Sequence, residues 1–227
     1  IIAENNIDIS SYDRIIALVN PLYGVGGWSF IGKYEKTINN VEYRVSNAVV
    51  GVQFMPWGSS DNDRFMWNWE YGALIHEMGH SLGLLHASGW DCDNQVLSGD
   101  CKHIGYGNYF DNMGGGSSRR SLHFNGVYKE MLGWIDPSQI LTITQSGRYS
   151  INALETTNGI KFAKIKIMDY NNFPLSLEYR KAIGYDSGLN NQEVSSNQNG
   201  LMINNIIEPF GERPFTRLLD MAPHPGT

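Results

Sequence analysis

His76-Glu77-Met78-Gly79-His80-Ser81-Leu82-Gly83-Leu84-Leu85-His86 is the stretch on which the reading of this chain turns. Apolar residues before and through it (Ala73, Leu74, Met78, Leu82 and Leu85) recur at mostly three- and four-residue steps, which predicts a helix over about 67–85. On one helix, His76 and His80 share a face and can offer both imidazoles to one metal ion. Glu77 follows the first histidine and can act on a metal-activated water without being a ligand. Gly83 is suited to a sharp turn with positive φ that ends the helix. That turn lets His86 supply a third nitrogen from beyond it. Three neutral imidazoles leave a fourth position open, which distinguishes a catalytic zinc site from a structural one.

Working outward, Arg14–Asn20 reads as a short buried strand ended by Pro21, and Gly24–Gly27 as a turn-rich loop. Trp28–Tyr34 and Val41–Phe54 read as strands joined at Asn39-Asn40. Residues 86–118 read as one irregular stretch holding both cysteines, Cys92 and Cys101, a length that marks a functional loop. Leu122–Leu132 reads as a second helix stopped by Gly133. After Asp136-Pro137 the chain changes character. Runs at 141–144, 149–151, 160–167, 175–179 and 201–207 carry β composition, with turns at Asn158-Gly159 and Asn199-Gly200. The expected organisation is an α+β catalytic domain over 1–137 followed by a β-rich, sandwich-like accessory domain over 138–227.

The HExxHxxGxxH pattern resembles that of the metzincin clan of zinc metalloendopeptidases. The resemblance implies a mixed twisted sheet, an active-site helix, a C-terminal helix and a downstream methionine in a tight turn. Tyr109-Phe110-Asp111-Asn112-Met113-Gly114 fits that turn, and the family implies that Met113 forms a hydrophobic floor rather than a ligand. Within the clan the chain is most similar to the gametolysin (autolysin) family. The features that carry this are His86-Ala87, the run Phe110–Gly114, His123-Phe124-Asn125 with Lys129 and Leu132-Gly133-Trp134, Leu177-Glu178-Tyr179-Arg180 and Leu218-Leu219-Asp220-Met221. Ala87 departs from the acidic, Ser or Pro residue of several other metzincin families. Gly115 stands two after Met113, so an astacin-like or serralysin-like tyrosine ligand is not expected. The implied activity is peptide-bond hydrolysis with Glu77 as general base. The implied cofactor is one Zn²⁺ on His76, His80 and His86, and the implied partner is a protein or peptide substrate. By family geometry, the strand at 41–54 would align an extended peptide by edge pairing, and the loop at 114–121 would shape the pocket beyond the scissile bond. Pappalysin-type or immune-inhibitor-type proteases are the neighbouring reading. A catalytically silent zinc-containing adhesion or carbohydrate-binding protein is the reading from another class, and Glu77 is the residue that argues against it.

Composition narrows the alternatives. The chain has 227 residues, 41% hydrophobic and 18% charged, which suffices for a packed core. A net charge of -6 without basic blocks argues against nucleic acid, and Arg119-Arg120 is too short to be a basic patch. No apolar run reaches the roughly 18 residues of a membrane span. Cys92 and Cys101 are read chiefly as a disulfide worth roughly 2–3 kcal/mol, which fits an oxidising, extracellular compartment. A second metal site with His103 and a pair of free thiols are the alternatives. His123 is read first as a packed histidine and second as a cleft residue, and His103 and His224 as surface. Asp61, Asp63, Asp91 and Asp93 could serve Ca²⁺, but no full EF-hand pattern surrounds them, so caps and solvated loops are favoured. Trp57, Trp67 and Trp69 are read as core packing. The opening Ile1-Ile2-Ala3-Glu4 reads as the tail of a helix, so a signal or pro-segment is expected upstream. The end at 222–227 reads as a domain edge. The expected state is a secreted monomer.

Overall fold

Strand β4, Val41–Gly51, is the axis of the first part of the chain. The structure, a computed structural model, describes residues 4–5, 7–19, 26–51, 61–98, 100–115, 122–167, 173–190, 199–208 and 213–221. Side chains at 61–70, 166–167, 173, 190 and 199 lie outside that description. The chain forms two compact units, Ile1–Leu85 and His86–Thr227.

In the first unit β1, Arg14–Val19, runs parallel to β4, while β2, Gly27–Ser29, and β3, Tyr34–Ile38, run antiparallel to it. Asn39 and Asn40 both take positive φ (50° and 62°), the conformation a two-residue hairpin turn demands and asparagine tolerates. Val45, Ala48 and Val50 are buried, and the helix α1, Asp61–Leu82, lies against β4 and β2. β4 is paired on both flanks, Ser46–Gly51 by β1 and Ala48–Val50 by β2, with β3 continuing along Val41–Val45. The expectation of edge pairing along this strand is therefore corrected over Ala48–Val50, which is interior to its sheet; over Val41–Val45 β3 is the one strand paired with it among the described residues.

α1 begins earlier and ends earlier than its apolar spacing predicts. Its burial also inverts that spacing. Ala73, Leu74 and Leu82 are half-buried and Met78 is exposed, whereas His76, Glu77, His80 and Ser81 are buried. Burying ionisable groups on a helix is costly, so these positions mark a candidate site.

The second unit is built on one seven-stranded sheet. β5 is Ala87–Asp91, β6 Lys102–Ile104, β7 Ile140–Ile143, β8 Phe162–Ile167, β9 Phe173–Lys181, β10 Asn199–Ile207 and β11 Phe215–Leu219. Their order across the sheet is β6-β5-β11-β10-β9-β8-β7. Two expectations are corrected here. The stretch 86–118 contains two strands of this sheet. The boundary near 137 falls inside the unit, because β5 pairs with β11 and because Val127 and Ile135 share a core with Leu154, Phe162 and Ile206. The change of composition at 137 marks a change of local structure, and the hydrophobic core is continuous through it. Among the described residues there is one sheet in this unit, so the sandwich is also corrected; the α+β class stands.

α2, Gly126–Met131, is shorter than the 122–132 expected, because Asn125 caps it: its side chain accepts from the Tyr128 N–H at 3.1 Å. The run at 149–151 forms no strand. No described helix is long and apolar enough to cross a membrane.

Candidate metal centre

α1 stops in a Schellman motif. The Leu84 N–H donates to the Gly79 carbonyl at 2.9 Å and the Gly83 N–H to the His80 carbonyl at 2.8 Å, with Gly83 at φ +104°. The turn throws the chain back, and the three histidines come together. One ring nitrogen from each of His76, His80 and His86 lies within 4.8 Å of the others. His76 and His80 are buried and His86 is half-buried. Burial lowers the pKa of His80, against the opposing effect of its hydrogen bond to the Leu84 carbonyl, and so favours the neutral ring. That bond, from Nδ1 at 2.8 Å, selects the tautomer in which Nε2 carries the lone pair.

Glu77, the residue after His76, is buried as well. Its Oε2 is buried with no hydrogen-bond partner among the described residues, and burial pushes its carboxyl from 4.5 up to about 7. β2 crosses directly above it: a Cβ on Gly27 would come within 2.5 Å of Glu77 Cγ. Beside it the Ser29 hydroxyl donates to the Asn47 carbonyl at 2.8 Å and meets the Ser81 hydroxyl at 3.1 Å. Three converging imidazoles, two of them on a helix that also buries a carboxylate, are an environment a divalent cation completes, because it compensates the charge that burial penalises. The donor set fits zinc: three imidazole nitrogens, with room for a fourth partner.

No family model matches this chain, and no curated protein or solved structure matches it. The reading of the centre therefore rests on its own residues.

Met113 sits where a tight turn was expected. The Gly114 N–H donates to the Asp111 carbonyl at 3.0 Å and the Met113 N–H to Asp111 Oδ1 at 2.6 Å, and the methionine is fully buried. The other Asp111 oxygen accepts from the Asn125 N–H at 2.6 Å. Burial raises Asp111 to about 6 despite those two donors and the nearby charge of Arg180. Arg180, itself fully buried, joins Asp186 and Glu178. Glu178 accepts from the Gly126 N–H and Asp186 from the His123 N–H, so this ion cluster anchors residues 123–126.

His123 is not part of the histidine group. Its Nε2 lies 2.6 Å from Glu155 Oε2, and Lys129 Nζ lies 2.9 Å from Glu155 Oε1. Burial alone would raise the Glu155 carboxyl. The hydrogen bonds and charges of His123 and Lys129 outweigh it and bring the carboxyl from 4.5 down to about 2. The sign follows. A folded-state pKa below the unfolded one stabilises the protein above pH 4.5, and that contribution is lost as pH falls toward 2. Glu155→Gln is expected to lower stability by about 1.5–3 kcal/mol at pH 6, the worth of hydrogen bonds to charged groups. The gap from the parent chain should narrow steadily below pH 4.5. Urea unfolding of both chains from pH 6 to pH 3 measures it, and a gap that widens toward acid would refute the assignment.

Cys92 and Cys101 form a disulfide. Asp91 accepts from the Asp93 N–H at 3.0 Å, and Asp93 faces Lys102 at 3.8 Å, as turn and surface residues do. Among the described residues the three histidines are the one group of three or more metal-ligating side chains. His103 is exposed and meets Arg217 at 3.2 Å. Trp57, His224, Arg119-Arg120, most of the 114–121 loop and the side chains of Asp61, Asp63, Trp67 and Trp69 lie outside the described residues. The sequence reading missed Gly27, Ser29, Asp111 and Tyr128. Gly27 had a signal in the glycines of 24–27, read there only as a turn; the others become visible only once distant segments pair.

Proposed function

We propose that this chain is a secreted, zinc-dependent endopeptidase of the metzincin type, similar to gametolysin-family enzymes, acting on extracellular proteins or glycoproteins. One observation carries the reading. Nitrogens of His76, His80 and His86 converge within 4.8 Å, and the residue next to His76, Glu77, buries a carboxylate oxygen with no hydrogen-bond partner among the described residues. The three histidines would hold the ion. When bound, zinc supplies the Lewis acidity that makes water a nucleophile near pH 7 and polarises a peptide carbonyl.

The rest is done by the chain itself. Glu77 takes the proton of the attacking water and returns it to the leaving amine. A single carboxylate can serve both halves of that transfer, as base toward the water and as acid toward the amine. Gly27 leaves the space that the Glu77 side chain fills. The buried methionine turn closes the protein side of the segment that follows His86. The disulfide suits the oxidising compartment that secretion implies.

The test is metal content together with cleavage of casein, with and without a zinc chelator. The expected result is about one zinc per chain, the stoichiometry of a three-histidine site, and cleavage that the chelator stops and added zinc restores. Cleavage indifferent to chelation would overturn the proposal. Zinc without cleavage of any unfolded protein would favour the silent zinc-containing binding protein.

A further inference from the structure

His76 and His80 take their positions from one helix. His86 does not: it lies beyond the Schellman turn, in the extended chain that leads into β5. Helix geometry says nothing about where its ring points. Three contacts within the second unit do.

Two of them act on a single peptide group. The Tyr128 hydroxyl donates to the His86 carbonyl at 3.0 Å, and the Ala87 N–H donates to the Met113 carbonyl at 2.8 Å. That carbonyl and that N–H belong to the same rigid plane. Gripped on opposite edges, the plane cannot rotate, and the backbone dihedral that aims His86 is fixed with it. The third contact acts on the ring. The imidazole lies against Tyr106, with centroids 4.0 Å apart and planes 38° from parallel.

Tyr106 is unusual on its own account. It is 48% exposed, yet it holds φ at +59°, where a bulky side chain is strained and glycine is not. Its carbonyl accepts from the Gly115 N–H at 2.7 Å, which ties it to the methionine turn. An exposed ring kept in a strained backbone is unfavourable for folding alone. The ring's contact with His86 supplies the reason to keep it.

We infer that Tyr106 and Tyr128 are positioning residues for the third histidine, one bracing its ring and the other locking its peptide plane. The inference rests on the zinc reading above. It gives the chain a ligand set in which two nitrogens are placed by a helix and the third by two tyrosines.

The experiment measures zinc affinity on the whole chain by competition with a chromophoric chelator, and the visible spectrum after Co²⁺ substitution. His86→Ala serves as the reference for loss of the ligand. Tyr128→Phe and Tyr106→Gly are expected to bind zinc about 10–100-fold more weakly, as loss of groups that orient a ligand does, with displaced Co²⁺ bands. Tyr106→Phe keeps the ring and should bind as the parent does. Metal-free Tyr106→Gly should unfold at the same temperature as the parent or higher, because glycine relieves the positive φ. Weaker metal binding without loss of stability is a combination that a merely structural tyrosine would not give. Parent-like affinity and spectrum in both Tyr128→Phe and Tyr106→Gly would overturn the inference while leaving the zinc reading intact. A parent chain that binds zinc no better than His86→Ala would overturn both. Should Tyr128→Phe not fold, Tyr106→Gly decides alone.

Discussion

Glu77→Gln is expected to keep its zinc and lose its hydrolysis. Glutamine has the volume of glutamate, so it fits beneath Gly27, where even one added carbon is excluded. It cannot accept a proton. The carboxylate oxygen that has no partner among the described residues is the one the proposed mechanism uses, and its removal breaks no hydrogen bond described for that oxygen. The expected fall in kcat is about 10²–10⁴-fold, the range general acid–base groups contribute. Stability should hold or rise, since a charge that burial disfavours is replaced by a neutral amide. Casein cleavage at matched zinc content reads the first effect and thermal unfolding the second. Cleavage within about threefold of the parent chain would remove Glu77 from the mechanism.

The largest expected loss of stability belongs to Arg180→Ala. The guanidinium is fully buried, with Nε 2.7 Å from Asp186 and Nη1 3.1 Å from Glu178. Those carboxylates are themselves almost wholly buried, and Asp111 is close enough to feel the same charge. Truncating the arginine leaves acids in a low-dielectric interior without their cation. Removing one member of such a cluster costs about 3–5 kcal/mol, so unfolding should move to clearly lower urea concentration. Arg180→Lys should recover only part of the loss, since a point charge cannot bridge two carboxylates as the planar fork does. An Arg180→Ala chain within about 1 kcal/mol of the parent would show that the cluster is not what holds residues 123–126.

That cluster also explains where the sequence is hard to read. In Leu177-Glu178-Tyr179-Arg180, a period-two strand with an apolar interior would turn Leu177 and Tyr179 inward. The structure does the reverse: Glu178 and Arg180 are buried, and Leu177 and Tyr179 are half-buried. Only mutual neutralisation permits this, and the partner, Asp186, lies on a separate 3-10 turn at Gly184–Asn190. The same holds for α1, whose apolar spacing is genuine but whose buried face carries the histidines. What is legible in the sequence is local. Asn39-Asn40, Gly83 and Gly133 mark their turns because backbone conformation there depends on one or two residues. The histidine spacing is legible because one helix and one turn suffice to assemble it. β5 is not, because Ala87-Ser88-Gly89 has no strand propensity of its own and becomes a strand only by pairing on both sides.

β5 has a further consequence, in the order of events during synthesis. Ala87, next to the third histidine, pairs with Thr216 near the far end of the sequence. Among the described residues the one earlier strand that pairs with β5 is β6, over Gly89–Asp91, joined to it across the loop that the disulfide closes. An emerging chain therefore presents Ala87 long before the strand that pairs with it has left the ribosome. Contacts so distant in sequence form late, because a long loop must close before they contribute. The pairing of β5 with β11 is thus a late event in the folding of the second unit, however early the residues of β5 themselves are made.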